Sequence, residues 1–246
     1  MHRFFLETGY VLGERVEFPK DISHQIARVL RLRHSEKVVV LDNLGIEYDV
    51  ELIEVQNNLV WGNVIGKRTA MSEADTQVTL FFGLTQRDKL EWILQKTTEL
   101  GVTQLIPLVT QRSLIQNIQD ENQKMERWQR IVREAAEQSG RGRCPKISAV
   151  QHLQKLPPLT KDEKGIVFWE EEHGTDIKNI LSDYGGHSIS LLVGPEGGFD
   201  VKEIEFVKSL GFTPATLGKR ILRMETAAVV AVGLVLYEQG EMGYKG

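Results

Sequence analysis

Two glycine-bearing turns near the carboxyl end hold the residue types best suited to chemistry. In LLVGPEGGF (191–199) an apolar run breaks into Gly194, Pro195, Glu196, Gly197 and Gly198. Glycines permit close backbone approach to a ligand. The turn follows a strand-like run and precedes a capped helix, which is where open α/β sheets bind ligands. Glu196 argues against phosphate and for a ligand that is neutral or cationic at that point. A tight turn whose glycines only supply positive φ fits the same letters. In LGKRILRMETA (217–227), Gly218 can again expose backbone, and Ile221 with Leu222 can form an apolar wall. Arg220 and Arg223 place cations at a helix start, where the helix dipole disfavours them. That placement suits an anionic target; pairing with Glu225 is the alternative.

Other chemistries find little support. Six histidines are scattered, with no HExxH and no CxxC, so no metal site is expected. There is no G-x-S-x-G, no Walker sequence and no G-x-G-x-x-G. Cys144 lies in a basic loop and reads as a spectator thiol. A single cysteine rules out an internal disulfide and fits a reducing compartment. No apolar run approaches the roughly 20 residues that span a bilayer, and MHRFFLETGY lacks a signal-peptide core. The expectation is a cytoplasmic protein without a membrane partner. The net charge is −4, from 34 acids and 30 bases, yet the bases are unevenly placed. HQIARVLRLRH (24–34), RGRCPK (141–146) and KRILR (219–223) contain no acid. Such local patches on a mildly acidic chain suggest docking at one defined site; ordinary solvated faces are the alternative.

The elements that must position these residues fall into two regions. Residues 1–70 read as strands at 37–42, 46–55 and 59–66 plus one helix at 21–33, which together form a small β-rich module, a compact barrel in the simplest case. RTAMSEADT (68–76) reads as a linker. From residue 77 the pattern alternates strand and helix, which indicates an α/β domain with a mainly parallel sheet. Its strands are expected at 78–85, 103–110, 165–171, 188–194 and 213–218. Helices are expected after Asp88, within 120–139, near 175–184 and near 200–210. Asp88 with Glu91, and Asp200 with Glu203, have capping-box spacing. The last helix, ETAAVVAVGLVLYEQG, is apolar on nearly every side and needs cover, for which a symmetric dimer is expected.

Taken together, LLVGPEGGF and LGKRILRMETAA resemble the ribosomal RNA small subunit methyltransferase E family, within the SPOUT superfamily of knotted methyltransferases. HRFF, HQIARVLRLR, KLEWILQKTTELGV, QRS (111–113) and REAAEQSGR (133–141) agree in order, so the resemblance spans nearly the whole chain. It implies a PUA-like β-barrel at 1–70 that binds RNA, and a trefoil-knotted α/β methyltransferase domain at 77–246 that forms a homodimer. It implies methyl transfer from S-adenosylmethionine to N3 of a uridine in 16S rRNA, with the small ribosomal subunit as partner.

On that resemblance, Gly194, Glu196, Gly197, Gly198, Leu217, Gly218, Ile221, Leu222 and Arg223 are expected to hold S-adenosylmethionine. The segment FWEE (168–171) is a further candidate wall. Arg223 or Arg220 would stabilise the uridinate, with Glu225 or a water taking the proton. Arg3, His24, Arg28, Arg31, Arg33, Arg112, Arg133 and Arg141 are expected at the RNA. A knotted methyltransferase for another RNA base, or an RNA-binding assembly factor without turnover, would account for the same motifs.

Overall fold

The computed structural model describes residues 1–243, so the final three residues of the sequence-assigned second domain lie outside it. The chain divides into two compact units. One comprises Met1–Glu73 together with Ala136–Cys144; the other comprises Ala74–Ala135 and the chain from Pro145 onward.

The first unit is a six-stranded sheet. Its strands are β1 (Arg3–Phe5), β2 (Val11–Leu12), β3 (Arg15–Phe18), β4 (Lys37–Leu41), β5 (Ile46–Gln56) and β6 (Leu59–Thr69). They lie in the order β1-β4-β5-β6-β3-β2, and all neighbours are antiparallel except β1 with β4. Two register shifts in the long β5–β6 hairpin mark bulges, which bend and twist a sheet. Phe4, Val16, Ile26, Val38, Val50, Leu52 and Val60 fill its core.

The helix expected at 21–33 is shorter. A helical turn, α1 (Lys20–His24), continues as a wider π-helical turn over Gln25–Val29, and Arg31 then takes a left-handed φ of 55°. Strands β1 and β2 escape a periodicity reading because each is too short to establish an alternation, and β3 alternates over only its four residues.

The expected linker 68–76 is partly structured. Thr69 ends β6, and Glu73 binds both Arg141 and the backbone amides of Gly142 and Arg143. Arg141 Nη2 donates to Glu73 Oε2 at 2.7 Å. Burial alone would raise the Glu73 carboxyl; Arg141 and the two amides hold it below the ordinary carboxylate range.

The second unit contains strands β7 (Gln77–Gly83), β8 (Gln104–Val109), β9 (Lys146–Ile147), β10 (Gln151–His152), β11 (Glu163–Phe168), β12 (Ser188–Val193) and β13 (Phe212–Ala215). Its helices are α2 (Arg87–Leu100), α3 (Ile118–Asn122), α4 (Met125–Gln138), α5 (Ile177–Leu181), α6 (Val201–Ser209) and α7 (Met224–Glu238), with the last residues of α4 belonging to the first unit. Every strand pair is parallel, in the order β10-β8-β7-β12-β11-β13 with β9 beside β8. The central strands are apolar runs buried on both faces, as parallel sheets require.

One capping expectation holds and one fails. At α6, Asp200 and Glu203 form a reciprocal capping box. At α2 the N-cap is Gln86, without a side-chain cap bond, and the helix begins before Asp88. Glu91 is instead bound by Arg127 at 2.6 and 2.9 Å and by Arg87 at 3.0 Å. A bidentate guanidinium outcompetes a distant backbone amide for the carboxylate. Together the arginines hold Glu91 down to about 2.

Candidate functional site

Parallel strands end on the same side, so the loops after β7, β8, β12, β11 and β13 share one sheet edge. The loop after β12 carries Gly194 to Gly198. It turns through a hydrogen bond from the Gly198 N–H to the Pro195 carbonyl at 2.9 Å. Gly198 has φ +67°, which L side chains rarely adopt. At the end of β7, a Cβ on Gly83 would lie 2.4 Å from the Pro195 nitrogen. Gly83 is therefore what lets the two loops touch.

Glu196 does not point freely into this edge. Its Oε1 accepts from Thr85 Oγ1 at 2.5 Å and from Lys89 Nζ at 2.9 Å. Burial pushes its carboxyl up, but these bonds, its own amide and the Lys89 charge hold it below the ordinary range. Its charge is thus already neutralised, and it anchors the loop to α2. This revises the expectation that Glu196 itself faces a ligand.

A second brace comes from the loop after β8. Arg112 Nη1 donates to the Gly197 carbonyl at 3.1 Å, and its Nη2 lies 3.4 Å from Asp200. The buried Glu203 carboxylate accepts from the Gln111 amide at 2.8 Å and from the Asp200 amide at 3.0 Å. The glycine turn is therefore fixed from both sides.

The loops after β11 and β13 complete the edge. The Trp169 amide donates to the Ala215 carbonyl at 3.1 Å, and the Thr216 amide to the Thr175 carbonyl at 2.8 Å. The Gly218 amide is held by Thr216 Oγ1 at 3.1 Å. A side chain starting at Gly218 would meet nothing within 4 Å. Ile221 is 91% exposed, Leu222 is half-buried, and Lys219, Arg220 and Arg223 are exposed. Arg223 is the N-cap residue of α7 without capping it through its side chain.

Among the described residues, neither Arg220 nor Arg223 forms an ion pair with Glu225 or any other acid. Two orphaned polar atoms lie here: Trp169 Nε1 and Glu225 Oε2 are buried without a hydrogen-bond partner among the described residues. Buried polar atoms are normally satisfied, so these mark places where a bound group would complete the bonding. Open space at Gly218, an exposed aliphatic wall and a glycine turn without a free lysine suit a ligand that lacks phosphate. Among the described residues no group of three or more His, Cys, Asp or Glu is placed to hold a metal ion.

The cationic residues expected at RNA divide into two classes. His24, Arg28, Arg31, Arg33 and Arg133 are exposed, and their side chains form no ion pair among the described residues. Arg3 is paired with Glu47 and mostly covered, and Arg141 is 4% exposed and bound to Glu73. These two therefore lack the free surface that a phosphate contact needs, and they hold the first unit together. Arg112 is exposed but already bonded to the glycine turn. Sequence reasoning missed Gly83, Thr85, Lys89 and Glu203 as contributors to this edge. The one available signal was the position of Gly83 and Thr85 at the end of an apolar strand.

Residues 72–236 match the model of a family described as an RNA methyltransferase domain. A ribosomal RNA small subunit methyltransferase E from Bacillus subtilis is 32% identical, with 97% of each chain covered. The protein of the same name from Synechocystis is 35% identical over 95% of this chain and 77% of its own. The crystal structure of a ribosomal RNA small subunit methyltransferase E from Neisseria gonorrhoeae, bound to S-adenosylmethionine, superposes with a TM-score of 0.87. It is 29% identical and covers 96% of this chain and 97% of its own.

Proposed function

From the chain's membership of the ribosomal RNA small subunit methyltransferase E family, we propose that it transfers a methyl group from S-adenosylmethionine to N3 of a uridine in 16S rRNA. The observation that carries this reading is a juxtaposition on one sheet edge. A braced glycine turn stands beside an exposed aliphatic wall and two guanidinium groups that pair with no acid among the described residues.

The backbone of Gly194, Gly197, Gly198, Leu217 and Gly218 holds the donor, with Ile221 and Leu222 against its adenine. When bound, the donor supplies an electrophilic methyl group on a cationic sulfur. Uridine N3 carries a proton at neutral pH and must lose it to become nucleophilic. Arginine does not deprotonate in proteins, so it cannot be the acceptor. Its planar donors suit the delocalised charge of the uridinate. Arg223, or Arg220 beside it, stabilises that anion, and Glu225 or a water takes the proton. The partnerless Oε2 of Glu225 supports its place in this scheme.

The rest of the assignment follows the family. The first unit is a PUA-like barrel that docks on RNA through His24, Arg28, Arg31 and Arg33, with Arg112 and Arg133 contributing from the second. The second unit is a SPOUT domain with a trefoil knot; β11 flanked on both sides by strands that follow it in the chain supports that reading. The partner is the small subunit or its 16S rRNA, the working form is a homodimer, and the compartment is the cytoplasm.

A labelled-donor methylation assay on small subunits and on naked rRNA, followed by nucleoside analysis, tests the reaction. The expected product is 3-methyluridine. A different methylated nucleoside would redirect the assignment to another base, and the absence of methylation to an assembly role.

A further inference from the structure

Glu170 stands on the loop after β11, the strand that separates β12 from β13 and therefore the two glycine-bearing turns. A Cβ on Gly198 would fall 2.0 Å from its Oε1, so the carboxylate fills the space over that α-carbon. It forms no hydrogen bond or ion pair among the described residues, and it is exposed. Two other acids near this edge differ from it. Glu172 is turned to the amides of Gly174 and Thr175, and Glu196 is neutralised by Lys89. Glu170 thus leaves one uncompensated negative charge in contact with the donor-holding turn.

Resting on the reading above, we propose that Glu170 faces the sulfonium charge and lets the site distinguish the charged methyl donor from its neutral demethylated product. The physical argument is differential. Methyl transfer converts a cationic sulfur to a neutral thioether, and most other features of the ligand are shared by donor and product. A carboxylate at that place stabilises the first and is indifferent to the second. It stabilises the donor more than a transition state in which that charge is being lost, so its benefit lies in donor capture and product release. Exposed opposite charges contribute on the order of 1 kcal/mol or less, which caps the discrimination at about fivefold.

The test is calorimetry on the full chain with S-adenosylmethionine and S-adenosylhomocysteine, using Glu170→Gln and Glu170→Asp. Glu170→Gln should weaken the donor by about threefold to fivefold and leave the product unchanged, while Glu170→Asp keeps most of the preference. Equal weakening of both ligands by Glu170→Gln would overturn the proposal, because it would place the carboxylate on a group the two share. Unchanged affinities in that variant would overturn it as well, with the donor site itself intact. Wild-type protein that binds neither ligand would overturn both this inference and the function from which it starts.

Discussion

Arg223 and Gly83 stand at the same sheet edge, and the effects expected of them rest on different physics. Arg223 offers a rigid fork of donors at the start of α7, unneutralised by any acid among the described residues. Arg223→Lys keeps the charge and loses the fork, so methyl transfer should fall about 10²–10³-fold, the usual cost of one transition-state donor. Donor affinity by calorimetry should stay near wild type; an unchanged rate would remove Arg223 from its role. Gly83 acts through space. A methyl group there would fall 2.4 Å from the Pro195 nitrogen and 2.8 Å from its α-carbon. Backbone cannot yield as a flexible side chain can. Gly83→Ala should cost about 1–3 kcal/mol, as overpacking does, and should weaken S-adenosylmethionine at least tenfold by displacing the turn. Both outcomes are read by thermal melts and calorimetry on one sample.

At the scale of elements, α2 is held by electrostatics as well as by its apolar face. Leu90, Ile93, Leu94, Thr97 and Thr98 are buried, and α7 packs along it. Glu91 joins α2 to α4 through Arg127. Its carboxyl drops from 4.5 to about 2 in the folded state. A depressed pKa contributes stability that is full above 4.5 and disappears as pH falls towards 2. Glu91→Gln should therefore lower stability at neutral pH by about 0.5–1 kcal/mol, a value kept small by solvent screening. Denaturant melts of the two proteins should converge between pH 4.5 and 2; a constant gap across that window would assign the effect to packing. The spacing of Asp88 and Glu91 is that of a capping box, yet the carboxylate serves a helix 36 residues away in sequence. Local spacing carries no information about such a competitor. For Asp200 and Glu203 the local reading held, because the capping bonds lie within the segment.

At the scale of the whole molecule, α7 is covered on one side and open on another. Ala228, Ala231, Val232, Val235 and Leu236 are buried, while Leu234 is 41% and Tyr237 67% exposed. The expected homodimer would cover that remaining face. Sedimentation at micromolar concentration should give twice the chain mass, and Leu234→Glu should shift it to monomer; a monomeric wild type would end the dimer assignment. The sequence by itself determined the alternation of strands and helices, the parallel character of the second sheet and the two glycine-bearing turns at its edge. Those features depend on neighbours in the chain, through side-chain period and turn preference. Tertiary structure decided which charges are free. Arg3 and Arg141 look like Arg28 in the sequence but are paired and covered, and Glu196 looks available but is bound. It also decided that Glu170 would meet Gly198. Such partners are distant along the chain and meet only when the strands take their order, because pairing energy depends on distance in space.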